Sequence, residues 1–379
     1  MPLKITFLTT LDCNVGDEFV REGIRAALDH GRVSYTAFYI NKHDANSVQS
    51  PCAEEPARLT DKYWDADVVV QAGAPVYWHL AGGQATSVTC EWYSWFWRDR
   101  VLAGTARPQP LFLNIGAGSC QPWGDDGGSF LHDAACASFA RAVGQRAALT
   151  TVRDPLAARI LTALDVPHVP MPCPAFLAGA RHPLAAQLDG PIGVNLMPQG
   201  GHYQLGEGVN LDRWRLSSRT LVARLRELRQ PLFFVAHDVQ EEAFLREAAL
   251  SGEIVFRANN WRAYLDAYAQ CSLVVANRVH GAVCAAGFGV PSIILGSDTR
   301  AQIGSYLGVP IFRSGDDDAD SVFCEAQRLW TMRRDESIRL LALRNAALRQ
   351  LADALVIHLG PLMHGRSASG PTSTVWSAP

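Results

Sequence analysis

"CSLVVANRVHGAVCAAGFGVPSIIL", Cys271 to Leu295, is the stretch whose reading decides the fold. The run Leu273–Ala276 is short and apolar throughout, the pattern of a strand buried on both faces of a parallel sheet. The small residues that follow suit a helix packed closely on that sheet, and the Gly289–Pro291 turn leads into a second apolar run. Strand, helix and strand in this spacing make a βαβ unit, and parallel sheets are built from such units. Open parallel sheets bind ligands just beyond the carboxyl ends of their strands. Arg278 and His280 fall at that position.

The same alternation extends in both directions. Toward the N-terminus, strands are predicted at "LKITFLT", "VSYTAFYI", "ADVVVQAG", "PLFLNIG" and "AALTTVR". Helices are predicted between them near Glu18 to Leu28, Gln84 to Val101, Ser129 to Val143 and Pro155 to Leu164. In the second half, "IGVNL", "PLFFVAH", "EIVF", "SLVVAN" and "SIIL" are each followed by a helical stretch. At 379 residues the chain exceeds the size of one hydrophobic core. The expectation is therefore α/β: two Rossmann-like doubly wound domains facing a cleft, residues 1–170 and 191–360. The proline-rich stretch around 171–190 is read as the linker. A long helix from Asp335 to His358, with leucines at helical spacing, packs back on the fold, and residues 361–379 read as a disordered tail.

Composition narrows the function classes. The chain is 48% hydrophobic and 19% charged, with 34 basic against 37 acidic residues and a net charge of −3, which argues against a nucleic-acid partner. Its nine cysteines are odd in number and never spaced C-x-x-C, the usage of reduced thiols in a cytoplasm. The start, "MPLKITFLTT", lacks the features of a signal peptide, and no apolar run reaches the roughly 18 residues of a membrane span. No metal-ligand spacing stands out, so no metal is expected.

Residues just after each apolar run are the candidates for a site. "NVGDEF" supplies Asn14, Gly16 and Asp17 at a helix start, where N-capping by Asp17 is the plain alternative. "GAG" ends in Gly118, which allows close backbone approach. Arg153 and Arg278 both follow strongly apolar strands, and a guanidinium beside buried surface needs an anionic partner. Asp154 is either that partner for Arg153 or the cap of the helix that Pro155 begins. His280 opens a helix with small neighbours, and His237 and Asp238 follow "PLFFVA" in a comparable position. "EWYSWFW" places five aromatics in six positions, Trp92 to Trp97, too many for one helix face, so some are expected to be exposed or interfacial.

With those residues identified, the chain resembles the polysaccharide pyruvyl transferase family. The likeness is carried by "NVGDEF", "NIGAG", "VRDPLAARIL", "PAFL" and above all "ANRVHGAVCAAGFGVPSIIL" with "SDTRAQIGSYLGVP". The resemblance implies a cytoplasmic bacterial transferase with a glycosyltransferase-B-like fold, acting in exopolysaccharide assembly. It would move pyruvate from phosphoenolpyruvate, its co-substrate, to hydroxyls of a saccharide as a ketal, with no other cofactor. The family's Arg-aliphatic-His motif falls on Arg278, Val279 and His280, implied to be catalytic, and its Arg-Asp motif on Arg153 and Asp154. Asn14, Asp17, Arg153, Gly118, His237 and Arg300 would bind substrate. Departures from the family pattern lie at Ala74, in place of a glycine run, at Cys173, in place of an Asp, and at Arg300, in place of a Lys. A nucleotide-sugar glycosyltransferase and a catalytically silent saccharide-binding relative are the competing readings. Contact with a membrane surface and self-association are both compatible with the chain.

Overall fold

In each half of the chain the apolar runs hydrogen-bond side by side as a parallel sheet. The computed structural model describes residues 1–10, 14–41, 66–90, 92–103, 109–182, 184–201 and 209–363. The first sheet holds β1 (Leu3–Thr9), β2 (Tyr35–Asn41), β3 (Val68–Ala72), β4 (Pro75–Leu80), β5 (Ala85–Thr86), β6 (Leu111–Cys120), β7 (Leu149–Val152) and β8 (Val169–Pro170). Its parallel spine runs β2-β1-β3-β6-β7-β8, and β4 pairs with the far end of β6. The second sheet holds β9 (Ile192–Asn195), β10 (Leu232–Val235), β11 (Ile254–Phe256), β12 (Leu273–Ala276), β13 (Ser292–Gly296) and β14 (Ile311–Arg313), in the order β11-β10-β9-β12-β13-β14. Counted within its own half, that order is 3-2-1-4-5-6, the Rossmann arrangement, whose crevice opens between the first and fourth strands.

The two sheets share one central layer. The N-terminal helix Val15–His30 buries Phe19, Val20 and Ile24 in a cluster that also takes in Tyr268 and Ala282 from the second half and Leu355 from the last helix. The stretch expected to be a linker lies inside this layer. Pro174–Arg181 forms a buried 3₁₀ helix rather than a loose connection. Glycines on its two neighbours make room for its backbone: a Cβ on Gly23 would come within 1.7 Å of the Pro174 carbonyl oxygen, and one on Gly287 within 2.2 Å of that of Phe176.

The closing helix is longer than expected, Arg333–Met363, so it runs into the stretch read as tail. The rest of that tail lies outside the described residues. The helix touches both halves, with Val356 against Gly31 and Leu341 against Gly289.

Two helix expectations fail for identifiable reasons. Asp133 interrupts Ser129–Val143 by accepting from the amides of Ala135 at 2.9 Å and Cys136 at 3.1 Å, which starts a fresh helix at Ala134. Gln84–Val101 contains β5, a turn and a π-helix, Tyr93–Leu102. The aromatic crowding is absorbed inward. Trp92, Phe96 and Trp97 are buried against Phe112 and Phe139, and Tyr93 and Trp95 are half-buried, so packing accounts for most of the segment.

One buried charge holds the central layer. Glu22 faces Arg181 of the 3₁₀ helix at 2.5 Å, with Arg25 at 3.1 Å and His182 at 3.8 Å. Burial alone would raise its carboxyl, but His182, Arg25, Arg181 and Arg21 outweigh that and hold it at about 2. A depressed folded-state value contributes stability that is present above the unfolded pKa and is lost as pH falls toward the folded one. Glu22→Gln is therefore expected to cost about 3 kcal/mol at neutral pH, because it removes the buried anion that these cations hold in its charged form. Urea melts at pH 7 and pH 3 test this: the difference between wild type and variant should shrink at the lower pH.

Candidate active site

Both sheets present their switch points to one cleft. In the first sheet the crevice lies between β1 and β3, and Asn14, Gly16, Asp17, Ala74 and Pro75 line it. In the second it lies between β9 and β12, and Asn277, Arg278, Val279 and His280 line the facing wall. His237, Asp298, Arg300, Trp78 and Trp92 complete much of the rim. Seven of the eight expected site residues thus border one cavity.

Arg153, at the end of β7, is 1% exposed. Its Nη1 donates to the Gly73 carbonyl at 2.9 Å and lies 2.9 Å from His280 Nε2 and 3.8 Å from Cys173 Sγ. Asp154 is the helix cap, accepting from the amides of Ala157 and Ser119 and from the Ser119 hydroxyl. Among the described residues no carboxylate forms an ion pair with Arg153, and its Nε has no hydrogen-bond partner. Burial pushes the Cys173 thiol up, although Arg153 pulls the other way, so the sulfur brings no negative charge. A buried cation left this way costs several kcal/mol unless an anion joins it.

The Arg153 contact also fixes the state of His280. A guanidinium can only donate, so Nε2 accepts and the ring proton sits on Nδ1, leaving the imidazole neutral. Glycines permit this approach across the cleft. A Cβ on Gly16 would lie 2.5 Å from His280 Nδ1, and one on Gly118 would lie 2.6 Å from Arg153 Nε and 3.0 Å from Asp154 Oδ2. Gly118 therefore acts behind Arg153, not on the cavity surface where it was expected.

Arg278 differs from Arg153. Its Nη2 pairs with Asp238 at 2.7 Å and Glu241 at 2.6 Å, and its Nε donates to Glu241 at 2.6 Å. The anionic partner that the sequence calls for is thus supplied largely by the protein itself. Arg300 likewise pairs with Asp298 at 2.5 Å. His237 Nε2 meets the Tyr268 hydroxyl at 2.7 Å, and burial first, then the Arg278 guanidinium, push its imidazole well below the ordinary range. Asp17 sits inside the first helical turn and accepts from the Thr10 hydroxyl, while Asn14 holds the cap position without a side-chain cap bond. Capping by Asp17 is thereby ruled out.

The model of the polysaccharide pyruvyl transferase family matches residues 14–299, most of the chain. The chain belongs to that family. No curated protein matches its sequence. Among solved structures, one from Listeria monocytogenes that bears the name of a UDP-N-acetylglucosamine 2-epimerase is 10% identical, with 99% of this chain and 100% of that chain covered and a TM-score of 0.55. MnaA from S. aureus, solved with UDP, is 12% identical over 96% and 97% of the two chains, with a TM-score of 0.51. At such identities the likeness is one of fold, α/β and glycosyltransferase-B-like. Family and fold together support a polysaccharide-modifying transferase. No described helix is long and apolar enough to cross a membrane, and among the described residues no group of three or more His, Cys, Asp or Glu is placed to hold a metal.

Several residues that build this site were missed in the sequence. Asn195, at the end of β9, donates to Glu241 at 2.9 Å and accepts from the Arg278 amide at 2.7 Å, so it sets the turn that carries the Arg-Val-His motif. Asn277 accepts from the Met197 amide at 2.9 Å and donates to the carbonyls of Gly200 and Leu295. Thr299 ties the halves together: its hydroxyl accepts from the Gln121 amide at 2.9 Å, and its amide donates to the Gln121 carbonyl at 3.0 Å. Asn195 and Asn277 lie directly after apolar runs, the one signal that could have found them, whereas Thr299 stands beyond the end of β13 with no such signal.

Proposed function

We propose that the chain transfers pyruvate from phosphoenolpyruvate to hydroxyls of a saccharide, forming a ketal. The observation that carries this reading is Arg153, a buried guanidinium with no carboxylate partner among the described residues, in hydrogen-bond contact with the motif histidine. An anionic donor group satisfies Arg153 and draws its N–H away from His280 Nε2. That nitrogen then becomes able to take a proton beside the bound negative charge.

The chemistry needs one acid and one base in turn. Protonated His280 delivers its proton to the methylene carbon of the enol, so C2 becomes electron-poor. A saccharide hydroxyl bonds to C2 and gives up its proton, to which neutral His280 or Asp17 has access in the same cleft. The C2–O bond to phosphate breaks with the electron pair leaving on phosphate, and a second hydroxyl adds with loss of its proton. The products are a ketal and inorganic phosphate. Arg278 is assigned a positioning role here, since its ion pairs with Asp238 and Glu241 tie the turn that bears His280 to β10 and its following helix.

Thermal melts with ligands separate this reading from a nucleotide-sugar glycosyltransferase. Phosphoenolpyruvate at about 100 times its Kd should stabilise the protein by about 2.7 kcal/mol, and a saccharide acceptor should then release phosphate. Protection by uridine or guanosine diphosphate, with none from phosphoenolpyruvate, would overturn it.

A further inference from the structure

We propose that Tyr268 locks His237 as a hydrogen-bond donor, so that the His237 Nδ1–H is presented to an anionic oxygen of the bound donor and Tyr268 is a positioning residue of the site. The ligand half of this inference rests on the transferase reading above. The lock itself rests on the geometry of the free protein.

Tyr268 is 0% exposed, on the helix Trp261–Ala269, and its hydroxyl lies 2.7 Å from His237 Nε2. A buried hydroxyl needs an acceptor for its proton. Among the described residues His237 Nε2 is the acceptor within reach, so the hydroxyl donates and Nε2 accepts. A nitrogen that accepts carries no proton, and the ring proton of His237 therefore sits on Nδ1. The reverse arrangement, with Nε2 donating, would strand the tyrosine proton in the core.

The surroundings hold both rings in this arrangement. Phe19, from the first half of the chain, meets Tyr268 edge-on with ring centres 6.2 Å apart. Gly281, in the motif helix, makes room for the hydroxyl, since a Cβ there would lie 2.3 Å from the Tyr268 oxygen. Tyr264 packs on His237 with ring centres 4.8 Å apart, and the His237 amide donates to Glu241 at 2.8 Å, which pins the backbone. A second ring proton would cost His237 its bond from Tyr268, and burial near Arg278 opposes that proton as well. The other titratable groups about the ring are His280, which lines the same cleft, and Asp238, the next residue, which pairs with Arg278.

An Nδ1–H held this way can donate and cannot accept. Among the described residues Nδ1 has no hydrogen-bond partner, the ring is half-buried, and it borders the cleft that Arg153, Arg278 and His280 also line. Its match is an oxygen with lone pairs and no proton of its own, and the phosphate and the carboxylate of a small donor both supply one. His237 thereby adds a directed contact to the anion without placing another cation beside Arg278. Proton transfer is left to His280, whose Nε2 a bound anion frees.

Nitrogen-15 NMR of the histidine-labelled full chain tests this, the His237 signals being those lost in His237→Gln. In the free wild type, Nδ1 should show the shift of a protonated ring nitrogen and Nε2 that of an unprotonated one, with no titration from about pH 5.5 to 8. A proton on Nε2, or titration with an ordinary midpoint, overturns the lock. Phosphoenolpyruvate, inorganic phosphate and oxalate are then added in turn. Phosphoenolpyruvate should move the Nδ1 signal, and whichever of the other two also moves it identifies the end of the donor that His237 meets. Tyr268→Phe keeps the ring and loses only the hydroxyl; in it His237 should titrate, and phosphoenolpyruvate should bind about tenfold more weakly. Unchanged affinity in Tyr268→Phe, or an Nδ1 signal that none of the three anions moves, overturns the proposal. An Nδ1 signal that answers to phosphate or oxalate, in a protein whose melting is indifferent to phosphoenolpyruvate, would sink the donor reading and leave His237 as an anion ligand.

Discussion

His280→Ala is expected to lower phosphate release from phosphoenolpyruvate by about 10³-fold, in line with the loss of a general acid or base. The change should appear in kcat, with the melting shift produced by phosphoenolpyruvate retained, because Arg153 still carries the donor's charge. Stability should change little. The imidazole is half-buried and already lines the cleft, so its removal opens no sealed cavity. His280→Asn, which keeps a hydrogen-bonding group near Arg153 but cannot move a proton at neutral pH, should be as inactive as the alanine variant. Turnover in His280→Asn within tenfold of wild type would reassign the proton transfers to another group.

Arg153→Met is the second large effect, and its sign separates a binding role from a structural one. Two parallel charge-assisted bonds to a donor anion contribute roughly 3 kcal/mol, so affinity for phosphoenolpyruvate should fall about 100-fold or more and its melting shift should vanish. The free protein should nevertheless be about as stable as wild type. Methionine loses the bond to the Gly73 carbonyl, worth about 1 kcal/mol, but it also removes a buried cation that has no carboxylate partner among the described residues. Arg153→Lys restores charge without the two-pronged geometry and should recover part of the binding. A variant that loses several kcal/mol of stability yet keeps its response to phosphoenolpyruvate would make Arg153 a structural residue.

Much of the fold was legible because buried parallel strands have to be apolar throughout. Leu273–Ala276, Leu232–Val235 and Val68–Val70 announce themselves as such apolar runs. The helices were less legible where one side chain or one cluster decides. Asp133 breaks a pattern that periodicity alone carries through, and the aromatic segment winds as a π-helix from Tyr93, which no two-state reading of helix or strand anticipates. Prolines mark the connection between the halves locally, but they do not reveal its burial. Whether such a segment is exposed depends on what covers it, and here Gly23 and Gly287 do so.

For the site, position along the chain identified Arg153, Arg278 and His280 as groups at strand ends, and resemblance supplied the family. Local pattern could not separate the two arginines. Both follow apolar strands, yet Glu241 and Asp238 neutralise Arg278, and Arg153 has a neutral thiol and an imidazole beside it. That difference comes from residues far away in sequence, brought near by sheet order. The sequence by itself determined the α/β class, the strand ends and the residue types waiting there, because these follow from burial and periodicity within a few residues. The tertiary structure alone decided which arginine the nearby carboxylates neutralise and which ring faces the cleft, because electrostatic and packing partners are chosen by proximity in space.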